Sequence, residues 1–75
     1  MNQALKDKLK TLPARPGVYF HKNAAGEVIY VGKASVLKNR VRQYFNREHP
    51  DAKTRALVAD IAMTDWIETD SEIDA

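Results

Sequence analysis

The sequence predicts a small α/β (α+β) domain in which helical segments surround an antiparallel hairpin and one later strand. Three observations predict it. Val18-Tyr19-Phe20 and Val28-Ile29-Tyr30-Val31 are runs of β-branched and aromatic residues separated by the turn-forming Asn23-Ala24-Ala25-Gly26. On either side of this block the apolar residues recur at helical spacing, Leu5, Leu9 and Leu12 before it and Leu37, Val41, Tyr44 and Phe45 after it. With 75 residues and no cysteine, the chain has room for one thin core and neither a disulfide nor a thiolate zinc site to reinforce it.

Taken in order, Asn2 is placed to cap a first helix, which Pro13 stops near Thr11, because proline clashes with the preceding turn and restricts the residue before it. The apolar period shortens from Gly17 onward into the hairpin, whose loop needs the positive φ that Gly26 adopts freely. Gly32-Lys33-Ala34-Ser35 switches the chain into a second helix, with Ser35 as its expected N-cap. His49-Pro50-Asp51 breaks that helix, and a third runs from Asp51 to Ala62 with Leu57 and Ile61 four apart on one side. Met63 to Thr69, with Trp66 and Ile67, reads as the last strand. Asp70 or Ser71 then caps another helix, with Ser71 and Asp74 spaced like a capping box in which aspartate replaces glutamate. The chain stops inside that helix's first turn, so the C-terminal helix is expected to be truncated. There is no internal repeat, low-complexity stretch or linker, and residues 1–75 read as a single domain, incomplete at its C-terminus.

A net charge of +2 hides a segregation along the chain. Residues 32–55 carry seven basic side chains (Lys33, Lys38, Arg40, Arg42, Arg47, Lys53, Arg55) against Glu48 and Asp51, a local excess of +5. Residues 56–75 carry six acidic side chains and no basic one. A basic block beside a hairpin suits a polyanion, since cations that neutralise phosphates release condensed counterions; a solvated helix face would show the same charges. No apolar run approaches the roughly 20 residues that cross a bilayer, and the N-terminus lacks the apolar core of a signal peptide. Membrane readings are set aside and the chain reads as intracellular, hence cytoplasmic.

Several residues have chemistry to offer. Tyr19 and Tyr30 fall on adjacent strands of one hairpin, where a tight loop brings them close. A phenol with its reference pKa of about 10 needs a cation to favour its ionised form, or else works as a neutral hydrogen-bonding group. Lys33, three residues past Tyr30, is the candidate cation, although both tyrosines also suit ordinary strand positions. Gly32 at the strand end allows close approach of backbone or ligand, with the next helix's free N–H groups aimed there, or serves only the strand-to-helix turn. Arg40 and Tyr44, four apart, project together from the helix flank, where arginine's planar fork holds a phosphate oxygen; Tyr44 also suits a core position beside Phe45. Lys38 and Arg42 point elsewhere, as contacts to a substrate's backbone or as solvated charge. His21 and His49 lack partners at metal-ligand spacing and are expected on the surface, Trp66 in the core, and Asp70 and Asp74 as helix-end charges.

In combination, Pro16-Gly17-Val18-Tyr19, then Ile29-Tyr30-Val31-Gly32-Lys33-Ala34, then Leu37, Arg40, Val41, Arg42 and Tyr44-Phe45, resemble the GIY-YIG nuclease family. Within it the similarity is greatest to the UvrC-type excinuclease subunits of bacterial nucleotide excision repair. Leu12-Pro13, Lys53 to Val58 and Thr69 to Ala75 fit that branch too, so the resemblance spans nearly the whole chain. It implies a three-stranded antiparallel sheet flanked by helices, hydrolysing one DNA phosphodiester on the 3′ side of a lesion with one divalent metal, Mg²⁺ or Mn²⁺. It implies that Tyr19 and Tyr30 orient or deprotonate the attacking water, without saying which is the base. Lys33 tunes the hydroxyl network, Arg40 binds phosphate, Tyr44 supports the site and Gly32 keeps it open. The partners implied are DNA and, through other parts of a longer protein, UvrB-type excinuclease subunits. The family's metal-binding glutamate is expected in the helix after the third strand, beyond Ala75, so no metal ligand is assigned here and the chain alone is expected to be inactive. A non-catalytic nucleic-acid-binding module of the same fold, or a GIY-YIG endonuclease outside repair, is the alternative.

Overall fold

The computed structural model describes residues 2–46 and 49–70. Asn2 caps helix α1, Gln3–Leu9, by accepting the Leu5 amide on its side-chain oxygen at 2.7 Å. The α-helix ends two residues before Thr11, and three-residue turns through the Thr11 and Leu12 amides carry the chain on to Pro13. Strand β1, Gly17–Lys22, and strand β2, Val28–Ala34, form the expected antiparallel hairpin. Its loop is built by Asn23, whose side-chain oxygen accepts the Ala25 and Glu27 amides at 3.0 Å each, and by Gly26 at φ +82°.

Helix α2, Leu37–Asn46, and helix α3, Ala52–Asp60, precede strand β3, Met63–Glu68. Asp51 stands outside α3 as its N-cap, accepting the Lys53 amide. Ile61 lies past the end of α3, so it is buried from the connecting segment and does not share a helix face with Leu57; α3 itself buries no residue. The expected capping pair Ser71 and Asp74, and the helix it would open, fall outside the described residues.

The sheet order is β2-β1-β3, antiparallel throughout. Being central, β1 alternates buried and half-buried residues along its length, with Gly17, Tyr19 and His21 on the covered face. That face packs on Leu5, Leu9 and Leu12 from the N-terminal segment, on Leu37 and Val41 from α2, and on Ile61. Trp66 packs against this core half-buried, with Lys8 Nζ 5.1 Å from its ring centroid. The acidic charge of β3 is matched locally. Asp65 receives Lys22 at 2.8 Å and Lys8 at 3.2 Å, and the Lys22 contact chiefly holds its carboxyl below the usual carboxylate range. Glu68 meets Arg15 at 3.4 Å. No helix among the described residues is long and apolar enough to cross a membrane.

Candidate active site

Partners in an antiparallel register share a face of the sheet, and the register here collects the aromatic residues. Tyr19 stands opposite Gly32 on β2 and Trp66 on β3; His21 stands opposite Tyr30 and Thr64. The Tyr19 and Tyr30 rings therefore lie beside one another, centroids 6.2 Å apart and 29° from parallel. From α2, Tyr44 closes over both, its ring 5.8 Å from that of Tyr19 and 6.1 Å from that of Tyr30. The Tyr19 and Tyr44 hydroxyls bond at 2.9 Å. Arg40, one turn earlier on α2, is close enough for its charge to favour ionised Tyr19.

Burial separates the phenols. Tyr19 is 1% exposed and Tyr30 42% exposed. Burial raises the pKa of Tyr19, partly offset by the Tyr44 bond and by Arg40. Burial also raises that of Tyr44, and its bonds to Tyr19 and Tyr30 raise it further. Tyr19 and Tyr44 thus stay neutral across the physiological range, and Tyr30 is the exposed phenol.

Gly32 has a different physical reason from the one expected. The space above it is filled by Tyr19: a Cβ on Gly32 would lie 2.8 Å from Tyr19 Cε1 and closer still to Cζ and Oη. Glycine here admits the Tyr19 side chain where a Cβ would stand. The start of α2 also departs from expectation, because its first amides are not free to meet an anion. Leu37 N–H donates to the Arg15 carbonyl at 2.9 Å and Lys38 N–H to the Pro13 carbonyl at 3.1 Å. The proline-rich segment before β1 satisfies the helix end from outside.

Of the other predicted site residues, Lys33 stands opposite Val18, on the face of the sheet away from Tyr19 and Tyr30. Arg40 is the cation whose charge acts on Tyr19. Lys38 is half-buried in the first turn of α2. Arg42 borders a shallow groove with Lys6, Leu9, Lys10, Phe45 and Asn46, on the α1 side of α2. Neither lies in the phenol cluster. Arg55, from the same basic block, donates to the His49 and Pro50 carbonyls at 2.8 and 2.9 Å, which closes the turn before α3.

His21 overturns the expectation of a surface histidine. It is fully buried, its Nδ1 bonded to Thr64 Oγ1 at 2.9 Å and its Nε2 without a partner among the described residues. The signal was present in the alternation of β1, since a residue two beyond Tyr19 must share its buried face. His49 is half-buried, its Nε2–H donating to the Tyr44 carbonyl at 3.1 Å.

Burial lowers the His21 pKa from 6.5 to about 4. An unfolded chain takes up this proton first as pH falls, so stability present above pH 6.5 is lost between there and about 4. The expected loss is ~3 kcal/mol, taking 1.36 kcal/mol per pKa unit. Urea denaturation at pH 7 and pH 4 tests this, with His21→Phe expected to remove that portion of the pH dependence.

No group of three or more histidine, cysteine, aspartate or glutamate side chains among the described residues is arranged to hold a metal ion. Phenols and an arginine make up the cluster, and they do not fit a divalent cation by themselves.

Comparison with known proteins agrees with this fold. Residues 15–75 match the profile described as the UvrC-like GIY-YIG domain. UvrABC system protein C of Clostridium perfringens (strain 13 / Type A) is 61% identical over 69 residues, covering 91% of this chain and 11% of that protein. The protein of the same name from Streptococcus thermophilus (strain CNRZ 1066) is 53% identical over 75 residues, covering 100% of this chain and 12% of that one. This chain therefore spans about a ninth of the length of these relatives. Among solved structures, the GIY-YIG N-terminal endonuclease domain of UvrC from Thermotoga maritima, bound to its catalytic divalent cation magnesium, superposes with a TM-score of 0.82 at 33% identity. That match covers 100% of this chain and 81% of the solved one.

Proposed function

Because the chain belongs to the UvrC-like GIY-YIG domain family, we propose that it is the phosphodiester-cleaving domain of a DNA repair endonuclease acting on the 3′ side of a lesion. The observation that carries the reading is the cluster of three phenols, Tyr19 buried, Tyr44 half-buried and Tyr30 exposed, with the charge of Arg40 acting on Tyr19.

Each residue then has a definite task. Tyr30, the exposed phenol, meets the attacking water and, as the phenolate left once its own proton has passed to solvent, accepts the water's proton; Tyr19 is too enclosed for that part. Tyr19 and Tyr44, bonded through their hydroxyls and neutral, fix the plane against which Tyr30 rests. Arg40 offers a planar fork to the phosphate oxygens and offsets the charge that grows on them as the fifth oxygen bonds. Lys33, from the edge strand, reaches the same phosphate around the sheet. Lys38 and Arg42, outside the cluster, contact the DNA backbone to either side.

The Thermotoga relative carries magnesium at its site. For this protein the equivalent cation, Mg²⁺ or Mn²⁺, requires a carboxylate from outside the described residues, and no step above is routed through it. DNA and other Uvr subunits are the proposed partners, the latter through parts of the longer relatives that this chain does not span.

Because residues 32–55 carry a local excess of +5 that suits a polyanion with or without chemistry, a binding module that never cuts is the second reading. Plasmid nicking with Mg²⁺ by the full natural chain separates the two. The nuclease reading expects nicking, lowered about 10²-fold by Tyr30→Phe, the scale of a lost general base. Tight binding without any nicking in the full chain would refute it.

A further inference from the structure

We infer that His21 is a positioning residue for the phenol cluster, held in place by Thr64 and holding Tyr44 and Tyr19 in turn. The inference rests on the nuclease reading for its consequence and on geometry alone for its content.

One imidazole touches every ring of the site. Its centroid lies 4.6 Å from Tyr44 at 73°, 5.3 Å from Tyr19 at 54° and 6.1 Å from Tyr30 at 28°. Phe45 backs it at 6.0 Å and 86°. The contact with Tyr44 is the shortest among the ring pairs of the cluster and has edge-to-face geometry, which fixes relative orientation as well as distance. A floating ring could not transmit that orientation. The bond from His21 Nδ1 to Thr64 Oγ1 at 2.9 Å ties it to β3, and both residues are fully buried, so water offers neither an alternative partner.

The polar character of His21 is otherwise hard to explain. A buried histidine whose Nε2 has no partner among the described residues is costly where leucine or phenylalanine would fill the space. What the imidazole adds is a ring whose angle is set by a hydrogen bond on one side while its other side stays free to pack against phenols. The groups facing it are Tyr19 on its own strand, Tyr30 on β2, Tyr44 and Phe45 on α2, and Thr64 on β3, with no acidic or basic side chain among them. The ring therefore acts by shape.

Thr64 makes the test specific, because its hydroxyl is bonded to His21 and not to a phenol. Thr64→Val keeps the side chain's size and removes the bond; His21→Phe keeps a ring and removes the same bond from the other end. In the full natural chain with Mg²⁺, each single variant is expected to lower kcat about tenfold with KM unchanged, the scale of a sub-ångström misplacement. The double variant is expected to be no worse than either single, because replacing both partners by apolar groups leaves no unpaired atom. The ¹³Cζ signals of Tyr19 and Tyr44, assigned with Tyr19→Phe and Tyr44→Phe, are expected to move in both single variants.

Single-variant kcat values within twofold of wild type, losses that multiply in the double variant, or unmoved tyrosine signals would each overturn the inference. The tyrosine signals report on the ring contacts whether or not the protein cuts DNA. A failure of the nuclease reading, seen as no nicking by the wild-type chain, is thereby told apart from a failure of this one.

Discussion

Replacing Arg40 by alanine is expected to reduce nicking by about 10²- to 10³-fold in kcat, the scale set by removing one preorganised donor from a developing oxyanion. The fold itself is expected to be almost untouched. Arg40 is exposed on α2, and no carboxylate among the described residues pairs with it. Exposed substitutions of this kind change stability by about ±0.5 kcal/mol. A cation without an acidic partner among the described residues, whose charge already acts on Tyr19, is well placed for a ligand's negative charge. Arg40→Lys is expected to recover part of the rate, since the charge returns without the planar two-point grip. Kinetics and thermal melting of the two variants check this together. A rate loss accompanied by an equal loss of folded protein, or lysine performing as well as arginine, would move Arg40 out of the site.

How much of this was legible beforehand follows from which rules act locally. The hairpin, the Asn2 cap and the Gly26 turn depend on neighbouring residues only, and the structure forms each of them. The clustering of Tyr19 with Tyr30 followed from hairpin pairing. What escaped depended on partners distant in sequence. The carbonyls that close the start of α2 come from Pro13 and Arg15, more than twenty residues earlier, and no local pattern announces them. Thr64, the partner that lets a histidine be buried, lies on the far side of two helices. Lys33 illustrates a local rule left unused. Three residues beyond Tyr30 on one strand is an odd separation, and odd separations change face, so proximity in sequence placed the cation where the pleat does not.

The second large effect is expected at Gly32. An alanine there adds a single methyl group, yet kcat is expected to fall about 10²-fold, because a displacement near 1 Å at a positioned group costs that much. The new Cβ would stand 2.8 Å from Tyr19 Cε1 and nearer to Cζ and Oη, so the phenol must move. Its routes are few. Tyr19 is 1% exposed, with His21 and Tyr44 on its flanks and its hydroxyl committed to Tyr44 at 2.9 Å. Moving the ring therefore breaks that bond or carries Tyr44 with it, and overpacking of this kind costs ~1–3 kcal/mol of stability as well. Gly26→Ala provides the contrast. Nothing lies within 4 Å of a Cβ at Gly26, but its φ of +82° strains any L side chain. That variant is expected to lose ~1–2 kcal/mol of stability and keep its kcat. One glycine is thus required by what lies above it and the other by the backbone it sits in. Only a change at the first is expected to reach the chemistry, because only the first is in contact with a phenol. A Gly32→Ala protein that melts earlier but cuts at the wild-type rate would show that Tyr19 can shift without consequence, and that the hydroxyl pair is packing alone.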